Sequence, residues 1–98
     1  MSSEDVVLLV ELRVRKEHRD ELVRLLTAMI ERTRIAPECI TYELFARSEN
    51  ESILYLFQTW GTRQALEVNW QYTDLPQINA ASHLLAAPLE AKELHRLL

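Results

Sequence analysis

Glycine is nearly absent from this 98-residue chain, with Gly61 the only one, beside three prolines and one cysteine. One glycine cannot build a phosphate-cradling loop, so no nucleotide cofactor is expected. A lone Cys39 excludes an internal disulfide and fits a reducing compartment, the cytoplasm. No His, Cys or carboxylate pair has metal-ligand spacing, so no metal is expected. The longest apolar run, Val6 to Val10, falls far short of the ~20 residues of a membrane span. Met1, Ser2, Ser3, Glu4 and Asp5 are polar and acidic, without a signal-peptide pattern. Basic residues are not massed either. The formal net charge is −4, and Glu11, Glu17, Asp20 and Glu21 interleave with Arg13, Arg15, Lys16 and Arg19. Nucleic-acid binding is not expected.

What the chain has is apolar side chains, 48% of it, in two clear periodicities. Over 6–15, Leu8, Val10, Leu12 and Val14 alternate with Val7, Leu9, Glu11 and Arg13, which reads as a strand. Over 17–35, Leu22, Leu25, Leu26, Met29, Ile30 and Thr33 follow helical spacing until Pro37 stops it. Strands follow at 39–47 and 52–60, joined by the polar turn Ser48 to Glu51 as a hairpin. Thr62 is a candidate N-cap for a helix over 62–71. A break near Thr73 and Asp74 precedes a second helix over 74–86, and a final strand is expected over 89–97. The order βαββαβ predicts one α+β domain of ferredoxin-like type, a four-stranded antiparallel sheet with helices on one face. Strands one and three are apolar on both faces. The uncovered face therefore calls for a second copy, a homodimer through sheet faces.

These elements resemble the antibiotic biosynthesis monooxygenase (ABM) domain family of the dimeric α/β-barrel group. The resemblance rests on Val7 to Val14, Ala36-Pro-Glu-Cys39, Ile40 to Leu44, Leu56-Phe-Gln-Thr-Trp60 and Arg63-Gln-Ala-Leu66. It implies a dimeric barrel, often with exchange of the C-terminal strand. It also implies a cofactor-independent oxidation of a quinol-like aromatic, in which the substrate anion itself reduces O₂. Three positions depart from the family pattern: Glu38 replaces a common Gly, Gln58 a common Glu, and Asn69 a common His. The usual Glu–His acid/base pair is thus missing. Haem-degrading relatives use an Asn near the position of Val10, which cannot ligate, so haem is not expected. Quinone-forming relatives place polar residues near Leu56 and Leu66, both apolar here.

Candidate site residues follow. Trp60 offers a flat stacking wall and an indole N–H donor. Asn69 offers an amide to a carbonyl, oxyanion or hydroxyl, and His83 is the best-placed histidine for a general base. Gln58, Tyr42, Trp70, Tyr72, Leu56 and Leu66 are expected to line the pocket. The expected function is oxidation of an aromatic or quinol-like molecule between sheet and helices. The alternatives are a non-catalytic binding or stress-associated dimer and an isomerase of a small oxygenated metabolite.

Overall fold

The computed structural model describes residues 5–98, so Met1 to Glu4 of the N-terminal reading lie outside it. Alternating side chains make Val6–Arg13 a strand (β1), and Val14 adds only an isolated bridge to Leu85. A short 3₁₀ turn, Lys16–His18, leads into helix α1, Arg19–Thr33. The helix buries Leu22, Leu26, Met29, Ile30 and Thr33. Leu25, expected on the same face, is instead 48% exposed. Strands β2, Cys39–Arg47, and β3, Asn50–Trp60, form the hairpin. Helix α2 spans Arg63–Asn69, helix α3 Leu75–Ala80, and strand β4 Glu90–His95.

All neighbouring strands are antiparallel, in the order β2-β3-β1-β4. This is the split βαβ arrangement of the ferredoxin-like α+β fold, with β3 inserted between β1 and β2. The register sets side chains in rows across the helix-covered face. Leu44, Leu56 and Val10 form one row, Tyr42, Gln58 and Leu8 the next, and Cys39, Trp60 and Val6 the last. Val10, Leu12 and Leu56 have no solvent exposure. The row holding Gln58 is polar although it lies in the same buried layer.

The expected gap at 72–73 between the two helices is not a gap. Trp70–Asp74 is a π-helical turn, and the N–H of Leu75 bonds the carbonyl of Trp70 five residues back. Pro76 explains it. Proline has no N–H to donate, and its ring clashes with the carbonyl four residues earlier, that of Tyr72, in a regular helix. A wider turn relieves the clash while keeping the chain helical. The second helix also stops at Ala80 rather than at 86, and Ser82–Leu84 turns away as a 3₁₀ segment.

The opposite sheet face is bare. Phe45 is 50% and Leu94 42% exposed there, beside Leu9, Tyr55 and Phe57. Arg47 donates to the Tyr55 hydroxyl and lies 3.6 Å from Glu11, which also pairs with Arg13 at 2.9 Å. At the edge of β2, the Arg34 guanidinium donates twice to the Tyr42 carbonyl, at 3.0 and 2.7 Å.

The sheet centre should dominate stability. Leu56→Ala should cost about 3 kcal/mol, because the packed rows cannot collapse into the cavity. Leu25→Ala, on an exposed helix face, should cost less than about 1 kcal/mol. Chemical-denaturation midpoints with unchanged slopes check both.

Candidate functional site

Beneath the helical layer lies a cluster of buried polar side chains. Asp74 is completely buried, and it was not among the candidates read from the sequence. Its Oδ2 accepts the Tyr42 hydroxyl proton at 2.6 Å. Gln58, also fully buried, accepts the Trp60 indole N–H on its Oε1 at 2.7 Å. That bond fixes the Gln58 amide and leaves Nε2 as its other end. Gln58 Nε2, Asn69 Nδ2, Thr33 Oγ1 and Asp74 Oδ1 are all buried without a hydrogen-bond partner.

These groups shape the Asp74 carboxyl. Burial removes its solvation and raises its pKa, while the nearby Tyr42, Asn69, Gln58 and Thr33 side chains hold the rise back. Of the four, only Tyr42 closes to full hydrogen-bond geometry. Burial also pushes the Tyr42 hydroxyl far up, aided by the neighbouring Asp74 charge. The Cys39 thiol beside them is raised for the same reasons. The cluster therefore keeps Tyr42 as a donor across the accessible pH range.

A cleft of about 550 Å³ opens above this cluster, between the α1–β2 turn and α2. Pro37, Glu38, Trp60, Ala65, Asn69 and Thr73 are among the residues that line it. Trp60 closes its inner end but is only 1% exposed, so little of the indole face is presented. Its N–H is not free for a ligand, because Gln58 holds it. Thr62 caps α2 by accepting the Ala65 N–H at 3.1 Å, which fixes the wall carrying Ala65 and Asn69.

The structure gathers Trp60, Gln58, Tyr42 and Asn69 in one region, with Trp60 and Asn69 on the cleft and Gln58 and Tyr42 behind it. The other candidates stand elsewhere. Leu56 and Leu66 are core residues, not lining. Tyr72 is 74% exposed, and Trp70 is half-buried against the core; neither borders the cleft. His83 sits on the 3₁₀ turn after α3, bordering a separate groove of about 340 Å³ with Leu22, Met29, Arg32 and Ile78. The early end of α3 carries it there. Among the described residues, no three His, Cys, Asp or Glu side chains gather as a metal site needs. No described helix is long and apolar enough to cross a membrane.

The sequence profile of the antibiotic biosynthesis monooxygenase family matches residues 5–80. An uncharacterized protein of Synechocystis is 25% identical over 92 residues, covering 93% of this chain; the chain spans 63% of that relative's length. The crystal structure of Rv0793 from Mycobacterium tuberculosis superposes with a TM-score of 0.86 at 27% identity, covering 96% of each chain. That of an antibiotic biosynthesis monooxygenase superposes at 0.85 with 16% identity, covering 95% of this chain and 99% of the other.

Asp74→Asn should keep the Tyr42 hydrogen bond while removing a titrating group. The wild-type carboxyl has its pKa raised on folding, so it binds protons more tightly folded than unfolded. Its contribution to stability should be greatest below the ordinary value of 3.8, fall as pH rises through the raised folded pKa, then level off. Denaturation midpoints across pH should show that fall in the wild type relative to the variant. Asp74→Ala, which strips Tyr42 of its acceptor, should cost about 1–3 kcal/mol more than Asp74→Asn.

Proposed function

The chain belongs to the antibiotic biosynthesis monooxygenase family, and on that premise we propose that it oxidises an aromatic, quinol-like small molecule with O₂ in the Trp60–Asn69 cleft, without metal, flavin or haem. The observation that carries this reading is the cleft itself. Its volume of about 550 Å³ lies in the range that encloses small organic ligands. Apolar Ala36, Pro37, Ala65 and Val68 border it together with the Asn69 amide and an edge of Trp60.

In this chemistry the substrate carries the electrons. A hydroxyl or activated CH group loses its proton, and the resulting anion is electron-rich enough to reduce O₂. For a CH₂ flanked by aromatic rings, the carbon becomes a carbonyl with one oxygen atom, and the other leaves as water. The protein's part is to hold the ring in the cleft and to orient the substrate hydroxyl with the Asn69 amide before its proton is lost. His83 borders the separate groove between α1 and α3, and it has no part as a base in this reading. The proton lost by the substrate therefore passes to solvent at the open mouth of the cleft.

We further propose that the protein works in the cytoplasm as a homodimer through the bare sheet face, where Phe45, Phe57 and Leu94 supply apolar surface. Arg47, Glu11 and Arg13 would set its register. Leu97 and Leu98, fully exposed beyond β4, supply apolar side chains for exchange with the second copy.

Oxygen uptake by the purified protein with a panel of anthrones and quinols, in the presence of chelator and without added flavin, tests the activity. Uptake is expected with at least one of them, reduced about 10-fold or more in Asn69→Ala. Tight binding without uptake would overturn the oxygenase in favour of a binding protein. Sedimentation velocity tests the assembly: a dimer at micromolar concentration is expected, and a monomer for Phe45→Glu. A monomeric wild type would refute the face-to-face pairing.

A further inference from the structure

Asn69 and Asp74 are five residues apart. In a regular helix of ~3.6 residues per turn they would point about 140° apart. The π turn Trp70–Asp74 changes that, because i→i+5 bonding brings residue i+5 back over residue i. Asn69 and Asp74 thus share one side of the helix, the side packed on the sheet. The result is asymmetric for Asn69: its Nδ2 is buried, while the residue itself lines the cleft.

The surroundings of Asp74 settle which way the amide faces. Tyr42 occupies Oδ2 from the sheet side. Gln58 has its oxygen committed to Trp60, so only its NH₂ remains for the carboxyl. Thr33 of α1 adds a buried hydroxyl that has no hydrogen-bond partner. Tyr42, Gln58, Thr33 and Asn69 can each offer the carboxyl a donor. An inward-facing Asn69 oxygen would meet the carboxyl oxygen acceptor to acceptor. An inward-facing nitrogen turns a donor toward an acceptor, although the two atoms are not within hydrogen-bond geometry here. With the nitrogen inside, the oxygen Oδ1 is the end of the amide that the cleft sees.

We propose that Asp74 is a positioning residue that locks the Asn69 amide nitrogen-inward, so that the cleft presents an acceptor at this point and selects aromatic ligands bearing a hydroxyl over those whose oxygen can only accept. This rests on the Trp60–Asn69 cleft as the ligand site and not on the oxygen chemistry. It sharpens the role of Asn69: the side chain takes a hydrogen bond from a phenolic or enolic O–H rather than donating one to a carbonyl.

Asp74→Asn makes the argument sharp. Tyr42 would keep its acceptor on the oxygen of the new amide, leaving that amide's NH₂ toward Asn69. Two NH₂ groups repel, so Asn69 would turn over and offer its own NH₂ to the cleft. Calorimetric titration of the full chain with 1-naphthol and with 1-methoxynaphthalene reads this directly. The wild type should favour the naphthol about 10-fold, the worth of one hydrogen bond. Asp74→Asn should bring the ratio to one or below it, and Asn69→Leu should bring it to about one. A destabilised but otherwise unchanged cleft would weaken both ligands together and leave the ratio alone. Equal affinity of the wild type for the two compounds, a wild-type ratio in Asp74→Asn, or no binding of either at millimolar concentration would overturn the proposal. A wild type that discriminates between them yet consumes no oxygen with any quinol would leave this proposal standing and remove the oxygenase.

Discussion

The hydrogen bond from Tyr42 to Asp74 is the constraint around which this fold is arranged. It joins the sheet to the helical layer through the one carboxyl, among the described residues, that is wholly removed from water. A buried carboxyl without an acceptor-poor environment would be expelled or would unfold its surroundings. Here four nearby side chains can donate, and each comes from a different element: β2, β3, α1 and α2 supply Tyr42, Gln58, Thr33 and Asn69. The carboxyl thus sets how four elements must approach one another. Hydrophobic packing alone would tolerate several helix positions over the sheet, whereas a directional polar centre accepts few.

Much of this architecture was written in side-chain periodicity. The alternation of Leu8, Val10 and Leu12 and the spacing of Leu22, Leu26 and Met29 mark elements whose burial follows directly. The bare face was legible too, from Phe57 and Leu9 standing opposite Leu56 and Val10. The polar centre was only half legible. Trp60 and Asn69 stood out by type, and Tyr42 and Gln58 by their places in the family pattern. Asp74 did not, because an acidic residue two positions before Pro76 reads as a helix start or a turn. Its partnership with Asn69 needs a spacing of five, which belongs to neither helical nor strand periodicity. The available signal was the proline: within an otherwise helical stretch, Pro76 demands a wider turn upstream, and Asp74 lies inside it. His83 falls away from the cleft for the opposite reason. Its expected place is on a helix running to 86, and that helix ends at Ala80.

The site and the core are therefore not separate regions. Gln58 belongs to the sheet row that packs the interior and also holds the indole that closes the cleft. Asn69 ends α2 and borders the cleft at the same time. Strength is concentrated behind the cleft, in bonds made before any ligand arrives, while the mouth is formed by the exposed Pro37, Glu38 and Gln64. A rigid back wall under a variable rim lets the rim change without disturbing the polar centre.

The Arg34 clamp on the Tyr42 carbonyl has a consequence at the outer boundary of the sheet. Strand β2 is an edge, and an edge strand recruits foreign strands through its unpaired backbone groups. Two guanidinium bonds consume one of those acceptors near the middle of β2 and place a bulky cation across its path. The bulge between Cys39 and Thr41 breaks the flat template beside it. One margin of the sheet is thereby a poorer template for amyloid-like growth than an unobstructed edge.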